Sequence, residues 1–112
     1  MIGEWLDIGW LDEIPLRGSR VIEVADSDDI AVFRTGDGKV FALRDRCPHK
    51  HGRLSQGIVH GGAVACPLHN WRISLSSGEA LGEDQGCTPT VPVRIDAGRV
   101  LVHRAAMLAA AA

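Results

Sequence analysis

Two short stretches in the middle of the chain each pair a cysteine with a histidine across a proline: Cys47-Pro48-His49 and, beyond residues 50–65, Cys66-Pro67-Leu68-His69. No other feature constrains the fold as strongly. One metal centre can take all four donors only if both loops are brought to the same place. Each proline restricts the backbone between its two donors, so less loop entropy is lost when metal binds. The donor set admits two chemistries. A single zinc takes two Cys and two His tetrahedrally, which would make the chain a zinc-binding structural module. Zinc sites, however, more often use closely spaced Cys pairs or a His pair on a helix. A Cys–His pair presented twice in a β setting fits a 2Fe–2S cluster better, with two Cys on one iron and two His on the other.

The segments around these loops read as strands. Arg20–Val24, Ile30–Arg34 and Lys39–Arg44 are β-rich, and Thr35-Gly36-Asp37-Gly38 makes a hairpin turn between the last two. Thr90–Ile95 and Arg99–His103 flank Asp96-Ala97-Gly98 as a second hairpin, and Trp5–Trp10 adds another strand. Leu11–Ile14 is a candidate short helix before Pro15. The expected fold is all-β, a small antiparallel sandwich or barrel. Residues 1–104 form one domain by the size prior, and 105–112 form a short Ala-rich tail, frayed or docked as a short helix. The stretch 45–75 is an insertion on this scaffold. It holds two of the five Pro, two of the three Cys and four of the five His. Within it, residues 57–60, 63–65 and 71–74 read as short strands, with Gly61-Gly62 turning between the first two.

The pattern C-x-H…C-x-x-H resembles the Rieske motif. The resemblance implies an antiparallel Rieske-type β-sandwich with a small cluster-binding subdomain. It also implies a 2Fe–2S cofactor held by Cys47 and Cys66 on the inner iron and by His49 and His69 on the outer one. With no open coordination position, such a centre relays electrons and carries no catalytic residue of its own. Two thiolates neutralise the oxidised core, where four would leave it dianionic, so an added electron costs less than in an all-Cys cluster. High-potential Rieske proteins add a disulfide between the loops and hydroxyls near the cluster. This chain has no Cys at the matching loop positions and no Tyr anywhere. The expected potential therefore lies at the low end of the roughly −150 to +300 mV Rieske range.

Further wording resembles the small subunit of assimilatory NAD(P)H-dependent nitrite reductase: Leu54-Ser55-Gln56-Gly57, Leu68-His69-Asn70-Trp71, and Ser77 through Cys87 followed by Pro92-Val93-Arg94. That resemblance implies electron transfer beside a large flavin and sirohaem subunit that reduces nitrite to ammonium. The alternative is a Rieske-type ferredoxin serving a ring-hydroxylating or other oxygenase and its reductase. A third possibility is a structural subunit whose cluster is vestigial.

Composition narrows the classes. The formal net charge of −2 gives no basic excess to attract nucleic acid. Three Cys cannot all pair within the chain, which argues against a secreted disulfide scaffold. The N-terminus lacks the basic start of a signal peptide, and no run of about 20 apolar residues could cross a membrane. A cytoplasmic protein is expected. Cys87 is expected to be a buried apolar thiol, and Trp71 to pack beneath the centre. Lys50, Arg53 and Arg72 are candidates to steer an acidic partner, and His51 to tune the centre.

Overall fold

The computed structural model describes residues 4–48, 52–67, 71–82 and 85–112. Its layering is set by one strand. β3 (Ile30–Arg34) begins with an unbroken apolar run, Ile30–Phe33, and period-two alternation sends those side chains into two different cores. Ile30 and Val32 enter the first, while Ala31 and Phe33 enter the second. β3 is flanked by β2 (Gly18–Ile22) and β4 (Val40–Arg44), and β4 is flanked in turn by β8 (Thr90–Val91), all antiparallel. β4 divides in the same way, with Ala42 in the first core and Leu43 in the second.

The first core lies against a three-stranded sheet in which β10 (Arg99–His103) runs between β1 (Trp5–Trp10) and β9 (Val93–Asp96). Val100 and Val102 of β10 face Ile30, Val32 and Val91 in this core. The stretch expected as one strand, Thr90–Ile95, is two. Its first part pairs with β4 and its second with β10. Pro92 stands at the break. It has no N–H to donate to a ladder, and its carbonyl accepts the His103 N–H at 3.0 Å. The chain changes sheets there and ties the two layers together. The expected short helix before Pro15 is a 3-10 turn over Leu11–Glu13.

The second core lies under a small meander of β5 (Ile58–His60), β6 (Ala63–Ala65) and β7 (Arg72–Ser74), joined in sequence order. The meander falls within the stretch 45–75, and isolated antiparallel bridges beyond it join Ile73 to Ala80 and Glu79 to Cys87.

The Ala-rich end is a docked helix, α1 (Arg104–Ala111), whose Met107, Ala110 and Ala111 complete the first core. Eight residues are too few for a stable isolated helix in water. Docking supplies what length does not: His103 Nδ1 accepts the Ala106 N–H at 3.2 Å, and Arg44 donates to the carbonyls of Ala110 (2.6 Å) and Ala112 (2.7 Å). Among the described residues, no helix is long and apolar enough to cross a membrane.

Candidate metal centre

Both cysteine loops hang from strand ends over the second core. The first follows β4 and returns at a 3-10 turn over Leu54–Gln56, and the second joins β6 to β7. Cys47 and Cys66 are both fully buried in that core, among Phe33, Leu43, Leu54, Val64 and Ile73. Neither is in a disulfide. Two buried thiols outside any disulfide, delivered to one apolar cluster from separate loops, suit a thiolate-binding metal centre: a deprotonated sulfur in such surroundings is costly unless a cation neutralises it.

The two loops close in the same way. The Cys47 N–H donates to the Gly52 carbonyl at 2.8 Å, and the Cys66 N–H donates to the Trp71 carbonyl at 2.7 Å. Each bond reaches five residues ahead and spans the segment that carries the expected histidine. His49 and His69 themselves lie outside the described residues, as do Lys50, His51 and Asn70. Trp71 is half-buried against the second core.

A third segment reaches the same place. A Cβ built on Gly86 would lie 3.2 Å from Pro48 Cβ and 4.0 Å from the Trp71 ring. Its φ of +139° is also a conformation that favours glycine. Gly86 thus lets the 85–88 segment pack against both loops at once, a role its sequence neighbours do not signal.

Two expectations are corrected here. Cys87 is exposed rather than buried. It forms the bridge to Glu79 while the next residue, Thr88, takes the inward position, so alternation turns the Cys87 side chain outward. Arg53 is committed within the fold rather than left for an acidic partner. Its guanidinium binds Asp29 (2.8 Å) and Asp45 (2.8 and 3.0 Å). The Asp29 carboxylate, with Asp45 beside it, holds Arg53 above its already high ordinary pKa. Arg72 is exposed. Of the other histidines, His60 is exposed on β5 and His103 caps α1.

Asp45, Arg53 and Ser55, which flank the first loop, bind one another. The Asp45 carboxylate accepts the Ser55 N–H and the Ser55 hydroxyl, both at 2.7 Å, as well as Arg53. Asp45, Arg53 and Ser55 carry no metal-site signature in sequence. Their association is visible only once the loop is folded.

Comparison with known proteins agrees with this arrangement. Residues 4–92 match the Rieske [2Fe-2S] domain family. The chain is 41% identical over 95 residues to the anthranilate 1,2-dioxygenase ferredoxin subunit of Burkholderia cepacia, covering 84% of this chain and 82% of that one. It is 33% identical over 108 residues to the ferredoxin component of the naphthalene 1,2-dioxygenase/salicylate 5-hydroxylase systems of a Ralstonia species, covering 91% and 97%. Among solved structures, it is similar to a Mycobacterium tuberculosis protein assigned as an NADH-dependent nitrite reductase small subunit. There the TM-score is 0.77 and the identity 26%, over 88% of this chain and 92% of that one.

Proposed function

The chain belongs to the Rieske 2Fe–2S family, and from that premise we propose that it is the ferredoxin component of an aromatic-ring dioxygenase system, passing electrons from a reductase to the oxygenase. Rieske-type electron transfer through a 2Fe–2S cluster follows from the domain match and the ferredoxin relatives. The choice of partner is carried by one observation. The 41% identity to an anthranilate dioxygenase ferredoxin subunit extends over most of both chains. Family membership also sets the zinc reading aside.

When bound, the cluster supplies a one-electron carrier. The chain's own residues do the rest. Cys47 and Cys66 would hold it from the buried side as thiolates, and His49 and His69 from the same two loops as imidazoles. Leu54, Val64, Ile73, Phe33 and Leu43 enclose the two sulfurs and keep water from them. A dry apolar wall raises the cost of charge there, which favours a centre whose thiolates and core cancel. Three cysteines outside any disulfide suit a compartment that keeps thiols reduced, and we place the protein in the cytoplasm.

The sequence wording favoured a nitrite reductase small subunit. That second reading keeps the likeness to solved small-subunit structures, the Mycobacterium tuberculosis one at 26% identity and a second at 28%. Reconstitution separates the two. The loaded protein is mixed with NADH, a ferredoxin reductase and an aromatic-ring oxygenase, or with the large subunit of an NADH-dependent nitrite reductase. Ring hydroxylation that depends on this chain supports the ferredoxin reading. Stimulated nitrite reduction with no hydroxylation overturns it in favour of the second.

A further inference from the structure

The loop that carries Cys47 and His49 is held at its base by a side chain outside the donor set. Asp45 is the residue immediately after β4, and its side chain is fully buried. Its carboxylate faces the far end of the loop. Oδ1 accepts the Ser55 N–H at 2.7 Å. Oδ2 accepts the Ser55 hydroxyl at 2.7 Å and the Arg53 guanidinium at 2.8 and 3.0 Å. Asp29, just before β3, secures the same point to the sandwich. Its carbonyl accepts the Asp45 N–H at 2.8 Å and its carboxylate accepts Arg53 at 2.8 Å.

A buried charge is a poor way to add stability, since an apolar pair of similar volume often does as well. Its advantage is directional: charge-assisted hydrogen bonds fix geometry as well as distance. Among the described residues, the donors to this carboxylate come from residues 53 and 55, so the geometry it fixes is the closure of the loop from 45 to 55. No carboxylate hydrogen-bonds across the base of the second loop among the described residues.

We propose that Asp45 is a positioning residue, whose buried carboxylate grips Ser55 and Arg53 and so holds the first donor loop closed before any metal arrives. The inference rests on Cys47 and His49 being cluster ligands. Closing a loop of this length costs entropy, and a loop already closed does not charge that cost to metal binding.

The test uses the full chain, apo and loaded, with the variants Asp45→Asn, Ser55→Ala and Ser55→Thr. Val100→Ala, in the other core, serves as a control that lowers stability without touching the loop. In the apoprotein, amide exchange at Cys47 and Ser55 should be slow in wild type and fast in Asp45→Asn. In the loaded protein, iron release to a chelator, followed by the loss of visible absorption, should be about tenfold or more faster for Asp45→Asn and Ser55→Ala. Ser55→Thr keeps both donors and should hold iron like wild type. Val100→Ala should also release iron at the wild-type rate despite its lower Tm. Wild-type release from both Asp45→Asn and Ser55→Ala overturns the proposal, as does equal acceleration by Val100→Ala. Should Asp45→Asn not fold, Ser55→Ala and its threonine rescue decide alone. Cys47→Ser tests the ligand assignment separately: an unchanged cluster spectrum there removes that assignment whatever Asp45 does.

Discussion

Gly57→Ala puts a single methyl against the second donor loop. Gly57 lies at the entry to β5, and a Cβ there would stand 2.2 Å from the Ala65 carbonyl oxygen and 3.0 Å from a Val64 methyl. Gly57 has an ordinary φ of −82°, so alanine meets no conformational penalty and the whole cost is steric. Relieving the contact needs a displacement of about 1 Å between backbone segments, because carbon and oxygen do not approach much below about 3.2 Å in a close-packed interior. Ala65 pairs with Ile58 on one side and Arg72 on the other, and Cys66 follows it. The shift therefore strains the ladder on both sides of β6. Losing one or two backbone hydrogen bonds at about 1 kcal/mol each, with imperfect repacking of Val64, gives a destabilisation of about 2–4 kcal/mol. At about 4 °C per kcal/mol for a chain of this size, Tm falls by about 8–16 °C. Gly62, on the β5–β6 turn, is the matched control. Nothing lies within 4 Å of its Cβ position, and its φ is outside the left-handed region. Gly62→Ala should be neutral, or stabilising by about 0.4–1 kcal/mol through the unfolded state. Calorimetry and urea denaturation of the two apoproteins measure the difference. Equal stability of Gly57→Ala and wild type would refute the close approach on which the second loop's placement rests.

Other outcomes follow from the same geometry. In the folded apoprotein a thiol reagent should modify Cys87 rapidly and Cys47 and Cys66 only on unfolding, and Cys87→Ser should leave iron content unchanged while Cys47→Ser and Cys66→Ser lose it. The Arg99 guanidinium, together with the Gly9 N–H, holds the Asp7 carboxyl below its ordinary value of 3.8. The pair's contribution to stability is thus fully present above that pH and is lost as pH falls through the lower folded-state value. Asp7→Asn should flatten that acid limb in pH-dependent unfolding. A redox titration should place the midpoint in the low part of the roughly −150 to +300 mV Rieske range, and a value above about +100 mV would contradict the argument from missing hydroxyls and disulfide.

Much of this was readable from residues alone, for reasons that differ by element. The turns at Thr35–Gly38 and Gly61-Gly62 carry their own backbone chemistry, so the strands beside them were legible. The unbroken Ile30–Phe33 run also read as a strand, and its lack of alternation has a cause, since each face meets a different core. Thr90–Ile95 was read as one strand because β-branched residues recur along it; Pro92 was the local sign that its two halves serve different sheets. Cys47 and Cys66 were legible as candidates because metal ligation would fix residue type and spacing together, and the fold buries both in the second core. Cys87 was misread because a free cysteine is usually buried, whereas a single bridge to Glu79 decides its side. Asp45, Arg53 and Ser55 were illegible as a group, since any polar loop contains such residues and only the closed loop brings them into contact. The choice of partner is not written in local chemistry at all. Similar Rieske modules serve different enzymes, and likeness to whole relatives, rather than a four-residue wording, favours the oxygenase.

The central claim is a 2Fe–2S cluster held by two thiolates and two imidazoles. Pulsed EPR of the dithionite-reduced, iron-loaded protein tests it most directly. Hyperfine couplings from two histidine nitrogens are expected, with those of one ring lost in His69→Cys and neither changed in His103→Gln. A reduced cluster without strong nitrogen couplings, or a colourless protein carrying one zinc, would contradict it.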